Sequence, residues 1–164
     1  MSTDTIGKED RGLGFEQFWP GREFEGGERA VSDADIHAFA ELSGDLNPLH
    51  LDDDYARSTP FGGRIAHGAL GIAIATGLLA QRGLTAGTLI ALVGVNWRFV
   101  APIRPGDRLS LRLTVSSTRE LSGRDGGLVT FAAVLTNQAA VVVQAGELVE
   151  RVRRRSPASQ TSRT

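Results

Sequence analysis

A change of hydrophobic period most constrains how this chain can fold. GALGIAIATGLLA, Gly68 to Ala80, is apolar on nearly every side, whereas the sequence beyond Thr88 is rich in β-branched residues and alternates in places. At 13 residues the apolar run is short of the ~20 needed to span a membrane. A helix apolar all round must instead be enclosed by protein. The spacing predicts such a helix from about Ala66 to Gln81. Thr88 to Val100, Arg108 to Arg119, Leu128 to Asn137 and Ala139 to Val152 read as strands, and Glu23 to Ala30 as a further edge strand. PIRPGD, LSGRDGG and Asn137-Gln138 connect them over short distances, which argues for antiparallel pairing. The fold class is therefore α+β, one buried helix wrapped by an antiparallel sheet. Such a sheet leaves strand faces and edges uncovered, so a homodimer is predicted.

Composition narrows the partners. The 164 residues are a prior for one domain, and the formal net charge of −1 gives no reason to expect nucleic acid or an anionic membrane. There are no cysteines, so disulfides, thiolate nucleophiles and cysteine metal sites are all removed; this fits a cytoplasmic location. The first residues, MSTDTIGKEDRGLG, lack the basic-then-apolar pattern of a signal peptide. Residues 1–12 and 153–164 are polar and charged and read as disordered tails around a domain spanning 13–152.

Before the apolar helix, Ser32 with Asp35 resembles a capping box, and DADIHAFAEL brings Ile36, Phe39, Ala40 and Leu42 near one face of a helix that stops at Ser43-Gly44. A helical turn over Asp52 to Arg57 follows, then the breaker cluster Thr59-Pro60-Phe61-Gly62-Gly63.

Between these pieces lies LSGDLNPLH, Leu42 to His50. Gly, Asp, Asn and Pro are ordinary turn residues, so an Asx-type turn carrying an exposed His is one reading. The other is chemical. On a regular helix Asp45 and His50 would point about 140° apart. Pro48 disfavours a helix interior and pushes Asn47 to extended geometry, so an irregular loop is expected, where both side chains can converge on a water. A carboxylate and an imidazole so placed can move a proton to and from it. A metal site is a third option because Asp52, Asp53 and Asp54 lie close by. Three consecutive carboxylates cannot all face one ion, and they suit the start of the next helix; no metal is expected.

FAELSGDLNPLHLDDDYA, residues 39–56, resembles the signature of the (R)-specific enoyl-CoA hydratases, the MaoC-like family. GRIAHGALGIAIATGLL and NWRFVAPIRPGD resemble two further elements of that family, and the likeness extends over roughly residues 13–152. It implies a hotdog fold and reversible addition of water to a trans-2-enoyl thioester, giving an (R)-3-hydroxyacyl product. It implies Asp45 and His50 as the catalytic dyad, Asn47 as a residue that orients the site, and the backbone N–H of Gly68 as the donor to the thioester oxygen. The last role is physically apt, since a fixed N–H at a helix N-terminus stabilises the enolate charge. His67 and Thr76 fall where substrate could be near. Helix entry for His67, and a bond to the carbonyl one turn back for Thr76, are the structural alternatives. The implied partner is an acyl-CoA thioester, and no cofactor is implied beyond the CoA of the substrate itself.

Four other activities share parts of this pattern. The same site could dehydrate β-hydroxyacyl groups on acyl carrier protein, or act on branched or dicarboxylic acyl-CoAs of the mesaconyl-CoA type. A hotdog thioesterase would ordinarily need a carboxylate on the central helix, and Ala66 to Gln81 has none. A non-catalytic acyl-CoA-binding module would bind without turnover. Arg64, Arg98 and Arg104 are candidates, by location, to meet the CoA phosphates.

Overall fold

The computed structural model describes residues 12–123 and 125–155. Most of the two expected tails lies outside the described residues. At each end the folded chain extends slightly past the expected limits: Gly12 N–H donates to Gly83 O at 2.9 Å and Arg153 N–H to Thr88 O at 2.9 Å.

After a single-turn 3-10 helix at Phe15–Gln17 come β1 (Glu23–Ala30), α1 (Asp33–Ser43), α2 (Pro48–Leu51), α3 (Asp53–Arg57) and α4 (Gly68–Arg82), then β2 (Leu89–Phe99), β3 (Arg108–Glu120), β4 (Gly127–Thr136) and β5 (Val142–Val152). The strands form one sheet in the order β1-β3-β4-β5-β2, with every pair antiparallel. This is the expected α+β arrangement. The glycine-rich β1 adds an edge strand, as anticipated.

The period-two pattern of β3 and β4 sets which residues face inward. Leu109, Leu111, Leu113 and Val115 of β3 and Val129, Phe131, Ala133 and Leu135 of β4 are buried with Leu70, Ile74 and Leu78 of α4 in one core cluster. Burying one such side chain is worth about 1.5–3 kcal/mol, so the inner face of the sheet is what holds α4.

The capping box of α1 is present: Asp35 N–H donates to Ser32 Oγ at 3.1 Å, and Ser32 N–H to Asp35 Oδ2 at 2.8 Å. Gly44 ends the helix in the left-handed conformation at φ +76°, which a residue with a side chain adopts only at a cost. Two local expectations are corrected. Leu42 is 85% exposed rather than packed. Six residues beyond Ile36 at about 100° each, it points roughly 120° away from it. Residues 48–51 form a short helix rather than irregular loop. Pro48 is its first residue, a position whose N–H would have no intrahelical acceptor in any case.

β2 is the other edge of the sheet. Leu92, Val93, Val95 and Phe99 are all more than two-fifths exposed. A long apolar strand edge left open is a template for pairing with another chain. No described helix is long and apolar enough to cross a membrane.

Candidate active site

The loop after α1 and the start of α4 meet at one end of the central helix. Asn47 caps α2, its side-chain oxygen accepting from Leu49 N–H at 3.0 Å. One turn later His50 is buried, and its Nδ1–H donates to Ile65 O at 2.8 Å. A carbonyl can only accept, so a proton sits on Nδ1, and Nε2 is the ring nitrogen left for proton transfer. Asp45, on the loop before the cap, is exposed and receives Asn47 N–H on Oδ1 at 3.3 Å.

His67 links these parts. It is the N-cap residue of α4, is 2% exposed, and its Nε2–H donates to Asp45 O at 2.9 Å. Its ring lies 3.8 Å from that of His50, centroid to centroid, with 32° between planes, and Phe39 flanks it at 5.2 Å. Ligand atoms of Asp45, His50 and His67 all fall within 4.8 Å of one another. That donor set would interest a divalent ion. Two stacked imidazoles, however, direct their in-plane lone pairs side by side rather than at one point ~2.0 Å away, as a metal requires. A single water bridging carboxylate and imidazole suits the spacing better.

The three neighbouring acids serve separate purposes. Asp52 caps α3, accepting from Asp54 N–H and Tyr55 N–H at 2.9 Å each. Asp53 pairs with Arg64 at 2.8 Å, and Asp54 pairs with Arg57. The hydrogen bond and charge of Arg64 hold the Asp53 carboxyl below its usual range.

A cavity of about 440 Å³ opens beside this cluster, lined by His50, Ile65, Gly68, Phe99, Ile103 and Gln144 among others. Gly68 is the first residue of α4, where the backbone N–H has no intrahelical acceptor. The Phe99 ring covers it so closely that a Cβ there would come within 2.8 Å. Asp45, Asn47, His50, His67 and Gly68 therefore assemble at one place. Thr76 stands apart from the cavity lining; its hydroxyl donates to Ala73 O at 3.0 Å and Ile72 O at 3.2 Å within its own helix.

Of the arginines singled out by location, Arg64 is taken by Asp33 at 2.5 Å and Asp53. Arg98 lines a depression with Ala132, Ala145 and Glu147, away from the cavity. Arg104 stands at the cavity rim, donating to Phe61 O at 2.7 Å. A larger depression of about 570 Å³ lies past the other end of α4, and two of its three arginines are engaged through their side chains, Arg153 with Gly87 O and Arg154 with Glu120.

Sequence reasoning missed Gln144 and Phe99. The signal for Gln144 was there, a lone polar residue in the run VVVQAG.

Residues 16–139 match the model of the MaoC like domain family. The chain is 35% identical over 116 residues to a Rhodospirillum rubrum protein named (R)-specific enoyl-CoA hydratase, covering 71% of this chain and 76% of that one. Among solved structures, an R-hydratase from Pseudomonas aeruginosa superposes with a TM-score of 0.73 at 31% identity, covering 88% of each chain. A Mycobacterium tuberculosis protein described as a double hotdog fold gives a TM-score of 0.74 at 22% identity, over 90% of this chain and 46% of that one. At that identity the likeness speaks for the fold, which is a hotdog.

Proposed function

The chain belongs to the MaoC-like domain family, and on that premise we propose that it is an (R)-specific enoyl-CoA hydratase, a hydro-lyase that adds water reversibly to a trans-2-enoyl thioester. One observation carries the reading. The carboxylate of Asp45 and the ring of His50 come within 4.8 Å of each other, and His50 lines an apolar cavity that also holds the N-terminus of α4.

In the hydration direction the thioester oxygen sits at Gly68 N–H, and the enoyl carbons lie beside the dyad. The oxygen of a water held between Asp45 and His50 bonds to C3. The C2–C3 π electrons move onto the thioester oxygen as an enolate, stabilised by the N–H and by the positive end of the helix. The dyad takes one proton from the water and a proton returns to C2, so the atoms balance and no cofactor is consumed. Asn47 acts indirectly, by setting the helical turn that carries His50.

Two further proposals accompany this reading. The chain works as a homodimer, its open apolar β2 edge pairing with the same edge of a second copy. Arg104, at the cavity rim, meets a CoA phosphate. An acyl-CoA substrate and a cysteine-free chain fit a cytoplasmic enzyme of fatty-acid metabolism.

The test is to mix the protein with crotonyl-CoA and identify the product. The expected product is (R)-3-hydroxybutyryl-CoA. Release of free CoA would point to a thioesterase, and binding without turnover to a non-catalytic acyl-CoA-binding module. Turnover confined to carrier-protein thioesters or to branched or dicarboxylic acyl-CoAs would reassign the substrate.

A further inference from the structure

We infer that Gln144 is a positioning residue for the proposed oxyanion site, acting through Gly68; this rests on the hydratase reading above. Gln144 sits on the inner face of β5, is 2% exposed, and has both ends of its amide committed. Its Oε1 accepts from Trp97 Nε1–H of β2 at 2.8 Å, and its Nε2–H donates to Gly68 O of α4 at 3.1 Å. Trp97 settles which end faces which way. An indole N–H can only donate, so the amide oxygen must face it and the amide nitrogen must face Gly68.

The surroundings are shaped for this amide. A Cβ at Gly71, one turn along α4, would overlap the Gln144 side chain, so the glycine leaves room for the amide rather than for an acyl tail. The Phe99 ring closes on Gly68 from the β2 side. Gly68 is thereby held between a ring and an amide.

Glycine has the least restrained backbone of any residue, and here one carries the proposed N–H donor. An N–H stabilises a developing oxyanion only if it already points at the oxygen when charge appears. Holding the Gly68 carbonyl anchors the first turn of α4 and so limits how far the adjoining peptide, which carries the Gly68 N–H, can turn. The chain Trp97–Gln144–Gly68 passes the rigidity of two paired strands to the first residue of the helix. Ground-state binding of the acyl group, which rests on the apolar lining, does not need this alignment. Loss of Gln144 should therefore lower kcat and leave affinity almost unchanged.

The experiment compares wild type, Gln144→Met and Trp97→Phe in three measurements: kcat and KM for crotonyl-CoA, Kd for the unreactive saturated thioester butyryl-CoA, and Tm. For Gln144→Met, kcat falls about 10- to 100-fold, the range for a modest misplacement of catalytic groups, while Kd stays within about twofold. Trp97→Phe keeps the bond to Gly68 but frees the amide to turn, and shows the same pattern with a smaller loss. If Gln144→Met does not fold, Trp97→Phe decides. A purely structural role would lower Tm with kcat unchanged, and that result overturns the inference, as does a parallel loss of kcat and butyryl-CoA affinity. Absence of crotonyl-CoA hydration by the wild type would instead overturn the hydratase reading.

Discussion

His67 stacks on His50 at 3.8 Å and at the same time hydrogen-bonds the backbone of Asp45 at 2.9 Å. One side chain thus touches both members of the proposed dyad and directly precedes Gly68. Replacing His67 by Phe keeps a ring against His50 and removes the bond to Asp45. Losing one such bond costs about 1 kcal/mol of stability, a few degrees in Tm at most, and kcat for crotonyl-CoA should fall several-fold as Asp45 loses this anchor. Unchanged kcat would mean that the loop holds Asp45 without help.

Asn47→Ala removes the cap of α2 and frees the turn that carries His50. The cost to stability is about 1 kcal/mol, and kcat should drop about tenfold or more as His50 loses its alignment. Asn47→Asp, which keeps a capping oxygen, should retain most activity. Equal kcat values for the two variants would assign Asn47 no orienting role.

The β2 edge gives a prediction about assembly. Val93, 52% exposed on the open edge strand, replaced by Lys should block strand pairing. Light scattering should give wild type roughly twice the 17.5 kDa chain mass and Val93→Lys the single-chain mass. A monomeric wild type would refute the proposed dimer.

Glu150 gives a pH dependence. It is buried, one carboxyl oxygen lacks a hydrogen-bond partner among the described residues, and burial pushes its carboxyl above the ordinary 4.5, opposed by a hydrogen bond from Thr85. A raised folded value means that the native state holds the proton more tightly than the unfolded chain. Stability is therefore lost as pH rises from about 4.5 through the folded value, and the deficit is complete above it. Glu150→Gln, which keeps the shape and removes the buried charge, should raise Tm at pH 7.5. The gain should vanish below pH 4.5. A gain that persists at pH 4 would place the cause in packing rather than charge.

Local features were legible in the sequence. Ser32 acts on Asp35 within one turn, Gly44 bonds back to Ala40 one turn away, and their helix came out as expected. The dyad loop was legible as a meeting place for Asp45 and His50, although Pro48 starts a helical turn instead of preventing one. What could not be read were contacts that only the finished fold creates. Gln144 reaches Gly68 across 76 residues, and His67 reaches Asp45 across 22. The fate of Arg64 was hidden for the same reason, since Asp33 lies 31 residues away. Periodicity reports which face is buried, but not which side chain on another element shares that burial.

The central claim is that Asp45 and His50 act on the same water. The most direct measurement is the hydration rate of crotonyl-CoA by Asp45→Asn, a change that preserves shape and removes the negative charge. Asp45 is exposed, so the variant should fold with wild-type Tm. The expected result is a fall in kcat of about 100- to 10,000-fold, the usual contribution of a positioned acid–base group. Turnover at the wild-type rate by a folded Asp45→Asn protein would contradict it.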